Sequence, residues 1–178
     1  MKKLFLCMLS LFALVFVKVS AQELHNREKD IRINFDFTRK LGLASNQFAV
    51  WVENEQGVLV KNIFVTKFTA DRGWEKRPES LPSWRKAVKD AQTDSVSGAT
   101  PKSGPVRFEW DMKDETGQVV EKGVYKICIE ATIKWEHRVL FVCEIKIDEK
   151  TVAIGEVTEK MSGAGDNEQN LITNVEIR

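Results

Sequence analysis

Residues 124–147 read VYKICIEATIKWEHRVLFVCEIKI. Tyr125, Ile127, Ile129, Ala131 and Ile133 fall at every second position, with Lys126, Cys128 and Glu130 between them. After a polar interruption, Val139, Phe141, Cys143, Ile145 and Ile147 repeat the pattern. Alternate side chains of a strand point to opposite faces, so a period of two marks a strand with one face on a core. The two runs predict a hairpin turning near His137, which is expected to be solvated. Matching the apolar faces puts Cys128 and Cys143 on opposite sides of the pair, because a one-residue offset flips every side chain. Two free thiols are therefore expected, with Cys143 a small core residue. In an oxidising compartment the pair would invite a disulfide, but only a bulge would bring the two sulfurs together.

The same period spreads outward. Ile31, Ile33, Phe35 and Phe37 alternate with Arg32, Asn34 and Asp36. Residues 47–53 and 58–68 flank the turn Asn54-Glu55-Gln56-Gly57 and predict a second hairpin. Further runs at 106–112, 151–157 and 171–177 bring the total to about eight strands. Short strands and turns with one helical stretch predict an all-β fold, an antiparallel sandwich. The helix belongs to a long excursion over 70–104. There Trp84, Ala87, Val88 and Ala91 share one helical face, with Ser83 as the expected N-cap. This helix is expected to plug an open end of the sandwich. A connection of that length calls for a reason. The segment 159–170 is rich in Gly and acids and is expected to be a mobile loop.

Met1-Lys2-Lys3, an apolar run over 4–17 and Val19-Ser20-Ala21 form a charged, an apolar and a small-residue region. They read as a secretory signal peptide over 1–21, leaving 22–178 as a single domain. No second run is long enough to span a bilayer, so no direct membrane insertion is expected after cleavage. The formal net charge of the whole chain is +1, with acids and bases interspersed. No basic stripe predicts nucleic-acid binding. His25 and His137 are the only histidines. No nucleophile elbow, zinc pattern or phosphate loop accompanies them, which sets hydrolytic chemistry aside.

Trp110-Asp111 leads to Asp114, Gly117, Gly123 and Tyr125. The stretch resembles the Trp-Asp…Gly-x-Tyr signature of immunoglobulin-like modules, including that of the flagellar hook-cap protein. That likeness implies an immunoglobulin-like sandwich with Trp110 packed between the sheets. The stretch 94–100, Asp-Ser-Val-Ser-Gly-Ala-Thr, resembles the acceptor motif of proteins that carry flavin mononucleotide (FMN) as a phosphoester on threonine. It also suits an ordinary turn. Over most of its length the chain resembles a family of predicted periplasmic proteins of unknown function. The resemblance implies an extracytoplasmic protein, a transient encounter with a flavin transferase and a membrane electron-transfer partner. It assigns covalent FMN to Thr100, with Asp94, Ser97, Gly98 and Ala99 as the surrounding acceptor sequence. Trp74 and Trp84 are candidates to stack on the flavin ring, and Lys102 to offset phosphate charge. The competing expectation is an immunoglobulin-like binding or assembly module of the cell envelope with no cofactor. Neither expectation makes the chain a stand-alone enzyme.

Overall fold

The computed structural model describes residues 23–26, 30–42, 45–89, 96–134, 137–163 and 170–178. The expected signal peptide, Asp94, Ala91 and residues 164–169 of the expected loop lie outside the described residues. Ten strands are present among them: β1 Glu23–Asn26, β2 Ile31–Phe37, β3 Gln47–Asn54, β4 Leu59–Thr66, β5 Ser97–Gly98, β6 Gly104–Trp110, β7 Gly123–Lys134, β8 His137–Ile147, β9 Thr151–Ser162 and β10 Ile172–Ile177. Two short helices, α1 Lys67–Ala70 and α2 Pro82–Val88, and a 3-10 turn at Gly73–Glu75 lie between β4 and β5. The strands form two sheets, one ordered β1-β9-β8-β7-β3-β4-β5 and one ordered β10-β2-β6. The fold class is the all-β sandwich that alternation predicted.

The main core lies between the sheets. Ile31, Ile33, Phe35 and Phe37 of β2 face Phe48, Val50 and Val52 of β3 and the apolar faces of β7 and β8. The β7/β8 register pairs Ile127 with Cys143 and Cys128 with Val142. The two cysteines thus sit on opposite faces, and both are free and buried. Trp110 is buried against Tyr125, ring centroids 5.7 Å apart. The turn between β6 and β7 closes as its residues require. Asp114 accepts from the amides of Thr116 and Gln118, and Gly117 takes φ +82°, which side chains other than glycine resist. The Tyr125 hydroxyl donates to the carbonyl of Glu121 at 2.9 Å. This back-bond at a strand corner is a hallmark of immunoglobulin-type sandwiches.

Several expectations need correction. β1 arises from a stretch without visible pattern and pairs with the first residues of β9. The strand expected over 58–68 stops at Thr66. There Gln47 Oε1 accepts from the hydroxyls of both Thr66 and Thr69, and the chain turns into α1. β5 runs parallel to β4, pairing Val65 with Ser97 and Thr66 with Gly98, so the sheet is not wholly antiparallel. β9 continues to Ser162, into the expected loop. The excursion does not plug an end of the sandwich. It lies on the outer face of the large sheet, where Leu81, Trp84 and Val88 bury Ala49, Trp51, Val65 and Cys128 in a second core.

Candidate functional site

The described part of the acceptor-like stretch holds the last strand of the large sheet. Ser97 and Gly98 form β5, and both are half-buried. An added Cβ on Gly98 would fall 2.6 Å from Cε2 of Phe64. Any side chain there would strike the ring, so this close approach demands glycine. Phe64 is itself held by stacking on Phe48 at 5.0 Å and by Phe108 at 5.1 Å. Ala99 is exposed and Thr100 half-buried. The chain then crosses from the large sheet to β6 of the small one. On the way, the Ser103 hydroxyl accepts from the Arg39 amide at 2.9 Å. Lys102 is exposed on the same crossing. The structure therefore brings Ser97, Gly98, Ala99 and Thr100 together at one sheet edge; Asp94 is not among the described residues.

Beneath the excursion lies a sealed polar layer. Glu130 is 1% exposed, and its carboxylate accepts from the amides of Ser83 at 3.2 Å and Trp84 at 2.9 Å. Burial pushes its acidity weaker than that of an ordinary glutamate, against the opposing pull of those amides and of Arg138. Ser83 is thus not the N-cap of α2. Leu81 holds that position with φ +46° and no side-chain bond, and a carboxylate from β7 satisfies the orphan amides instead. The Leu81 amide donates to Thr132 Oγ1 at 3.0 Å, and Thr69 and Ser80 share a hydroxyl bond at 3.1 Å. The Trp84 indole donates to Asn62 at 3.0 Å.

This layer decides the fate of the two candidate stacking residues. Trp84 is fully enclosed and has no face for a ligand. Trp74 is half-buried, 6.3 Å from Trp84, and Arg85 lies over its ring at 5.4 Å. Both belong to the cover. Two shallow grooves lie elsewhere, one along β2, β6 and β10 and one between β9 and β10. Neither is lined by residues 97–100.

Residues 28–166 match the profile of a family described as predicted periplasmic protein (DUF2271). The chain belongs to that family. The protein is periplasmic, as its leader-like N-terminus led us to expect. Among the described residues no helix is long and apolar enough to cross a membrane. No curated protein and no solved structure matches the chain.

Other candidate groups are accounted for by packing. His137 is 6% exposed rather than solvated, although it forms the last pair of the β7/β8 hairpin, with Lys134. Burial pushes the Cys143 thiol up to about 11, and its sulfur donates to the Gly155 carbonyl at 3.2 Å. Burial raises Cys128 further. Among the described residues no three His, Cys, Asp or Glu gather as a metal site. The polar layer around Glu130 escaped sequence reasoning, since Glu130 occupies the polar side of an alternating strand. The available signal was β3: Phe48, Ala49, Val50, Trp51 and Val52 form an unbroken apolar run, the mark of a strand covered on both faces.

Proposed function

We propose that this periplasmic protein carries FMN as a phosphoester on Thr100 and passes electrons between a membrane electron-transfer protein and an extracytoplasmic acceptor. The supporting observation is the placement of residues 97–100. They run along the end of the large sheet, with Gly98 against Phe64 and Thr100 leading off the edge, partly open to solvent. In the attachment step the Thr100 hydroxyl oxygen attacks the FMN phosphorus of a flavin adenine dinucleotide. The new P–O ester forms as the phosphoanhydride breaks, AMP leaves, and the hydroxyl proton passes to a base of the transferase.

The residues present suit a tether at the surface rather than a deep pocket. Trp84 is sealed and Trp74 is committed to Trp84 and Arg85. When attached, the flavin supplies the electron chemistry. The protein supplies a sheet edge as the attachment point and Lys102, whose exposed side chain lies two residues from the ester and offsets its charge.

Co-expression with an active flavin transferase tests the proposal. Intact mass should rise by one FMN less one water, with yellow colour. Thr100→Ser should still be modified, and Thr100→Ala should not. An unmodified wild-type chain beside a transferase that modifies its own substrate would sink the proposal and leave an envelope binding or assembly module.

A further inference from the structure

We infer that docking of Ser97 and Gly98 onto β4 is an autoinhibitory contact, and that a flavin transferase loads Thr100 only after β5 leaves the sheet. This rests on the covalent-flavin proposal above. Thr100 is anchored on both sides. Gly98, two residues before it, is paired with Thr66 and lies against the Phe64 ring. Ser103, three residues after it, accepts from the Arg39 amide, and Pro101 stiffens the span. Five residue steps reach at most roughly 17 Å when fully extended. With both ends fixed, such a loop rises only about half that distance from the surface. Phosphoryl transfer requires the attacking oxygen to meet phosphorus at about 3 Å, aligned, inside a cleft that excludes water. A partly exposed oxygen on a short, doubly anchored loop does not meet that demand.

Undocking is built into the same contact. β5 is two residues long and parallel. It is the terminal strand of its sheet, with β4 as its only neighbour in the strand order. Short elements with few ladder bonds open at far lower free energy than the core. The rest of the β4 edge stays covered when β5 leaves: the Glu115 amide donates to the Val60 carbonyl at 3.0 Å, and the Asn62 amide donates to Glu115. Departure of β5 therefore uncovers the Phe64 side of the edge alone and frees the chain leading into the acceptor. Gly98 has two roles in this scheme. It fits under Phe64 when docked, and its small size admits the backbone to a cleft when released.

The experiment compares loading rates by intact mass, with transferase and flavin adenine dinucleotide supplied. Val65→Cys/Ser97→Cys joins two directly paired residues, whose spacing in a sheet of about 4.8 Å lies within disulfide range. Oxidised, this variant should load at least about tenfold slower than when reduced, the equivalent of ~1.4 kcal/mol. Phe64→Leu leaves the motif intact and loosens its seat, so it should load faster than wild type. Independently of flavin, Ser97→Cys should react with a thiol reagent more slowly than in the unfolded chain, and adding Phe64→Leu should speed the reaction. Equal loading of the oxidised and reduced pair overturns the inference and leaves flavin attachment standing. So does faster labelling in Phe64→Leu without faster loading, or labelling of Ser97→Cys at the unfolded rate. If neither wild type nor Phe64→Leu takes up flavin, the underlying proposal falls and this inference with it.

Discussion

Replacing Glu130 by alanine should be among the most damaging single changes to this protein outside the apolar core. The carboxylate is 1% exposed and accepts from two backbone amides, Ser83 at 3.2 Å and Trp84 at 2.9 Å. With alanine both amides lose their acceptor while α2 stays pressed on the sheet. A buried donor left unsatisfied costs roughly 1–3 kcal/mol. Two such donors, less the relief of no longer burying a charge, give a loss of about 3 kcal/mol. At roughly 2–4 °C per kcal/mol for a chain of this size, the melting temperature should fall by about 6–12 °C. Glu130→Gln keeps one acceptor oxygen and turns an NH2 toward the other amide, so it should lose about half as much. Thermal unfolding by circular dichroism reads both.

The pH dependence follows from burial, which raises the folded-state pKa of Glu130 above its ordinary value. Between the unfolded pKa, about 4.3, and the raised folded value, the folded protein binds more protons than the unfolded chain. The contribution of Glu130 is thus fully present below the unfolded pKa and is lost as pH rises through the folded one. Glu130→Gln cannot ionise and should lack that slope, so the gap between wild type and this variant should narrow as pH rises from about 4 toward 7. A Glu130→Ala protein within about 0.5 kcal/mol of wild type, the range of ordinary surface changes, would refute the sealed polar layer. A gap that stays constant with pH would refute the raised pKa.

Gly98→Ala should place a methyl group on the Phe64 ring and eject β5. Amide protection at 97–98 should vanish, with a loss of about 1–3 kcal/mol at most, and Phe64→Leu in the same chain should restore part of it. Buried and raised in pKa, Cys128 and Cys143 should both resist thiol reagents at pH 8 in the native protein and react in urea; native labelling of either would contradict its placement. Tyr125→Phe removes the bond to the Glu121 carbonyl and should cost about 1 kcal/mol in a denaturant titration.

Alternation made the sandwich legible because most of the inter-sheet core is built from every-second-residue positions in β2, β3, β7 and β8. The opposed cysteines followed from the same parity. The cover was not legible, for a physical reason. Alternation reports one dry face and assigns the other to water. Here Cys128, Glu130 and Thr132, on the expected wet face of β7, lie beneath α2 and the preceding turn. Ser83 looked like an N-cap because serine favours that position, yet a distant carboxylate took the role. No local rule relates Glu130 to Ser83, 47 residues away. The Ser-Gly-Ala-Thr stretch was visible as a motif, whereas its parallel pairing with β4 depends on a tertiary neighbour that no sequence window contains.

The second core also explains why the acceptor-like edge has a firm base. A sandwich whose outer faces are wet can twist and fray at its terminal strands. Around β3, β4 and β7 the large sheet instead has a dry layer on each side, Phe48 and Phe64 within and Trp51, Leu81 and Trp84 without. The last strand of that doubly covered region is β5, and Thr100 follows it by two residues. Rigidity therefore ends at β4, and the chain from Ser97 onward answers to the few bonds of β5 and the seat offered by Phe64. Loosening Phe64 and loosening Glu130 should then have separable effects. Phe64→Leu should change acceptor access with a small loss of global stability. Glu130→Ala should lower global stability, and at temperatures where the fold persists it should leave thiol labelling at Ser97→Cys close to the wild-type background, because α2 and β5 are held by different bonds. Parallel changes in both readouts from either substitution would show one cooperative unit and refute the division.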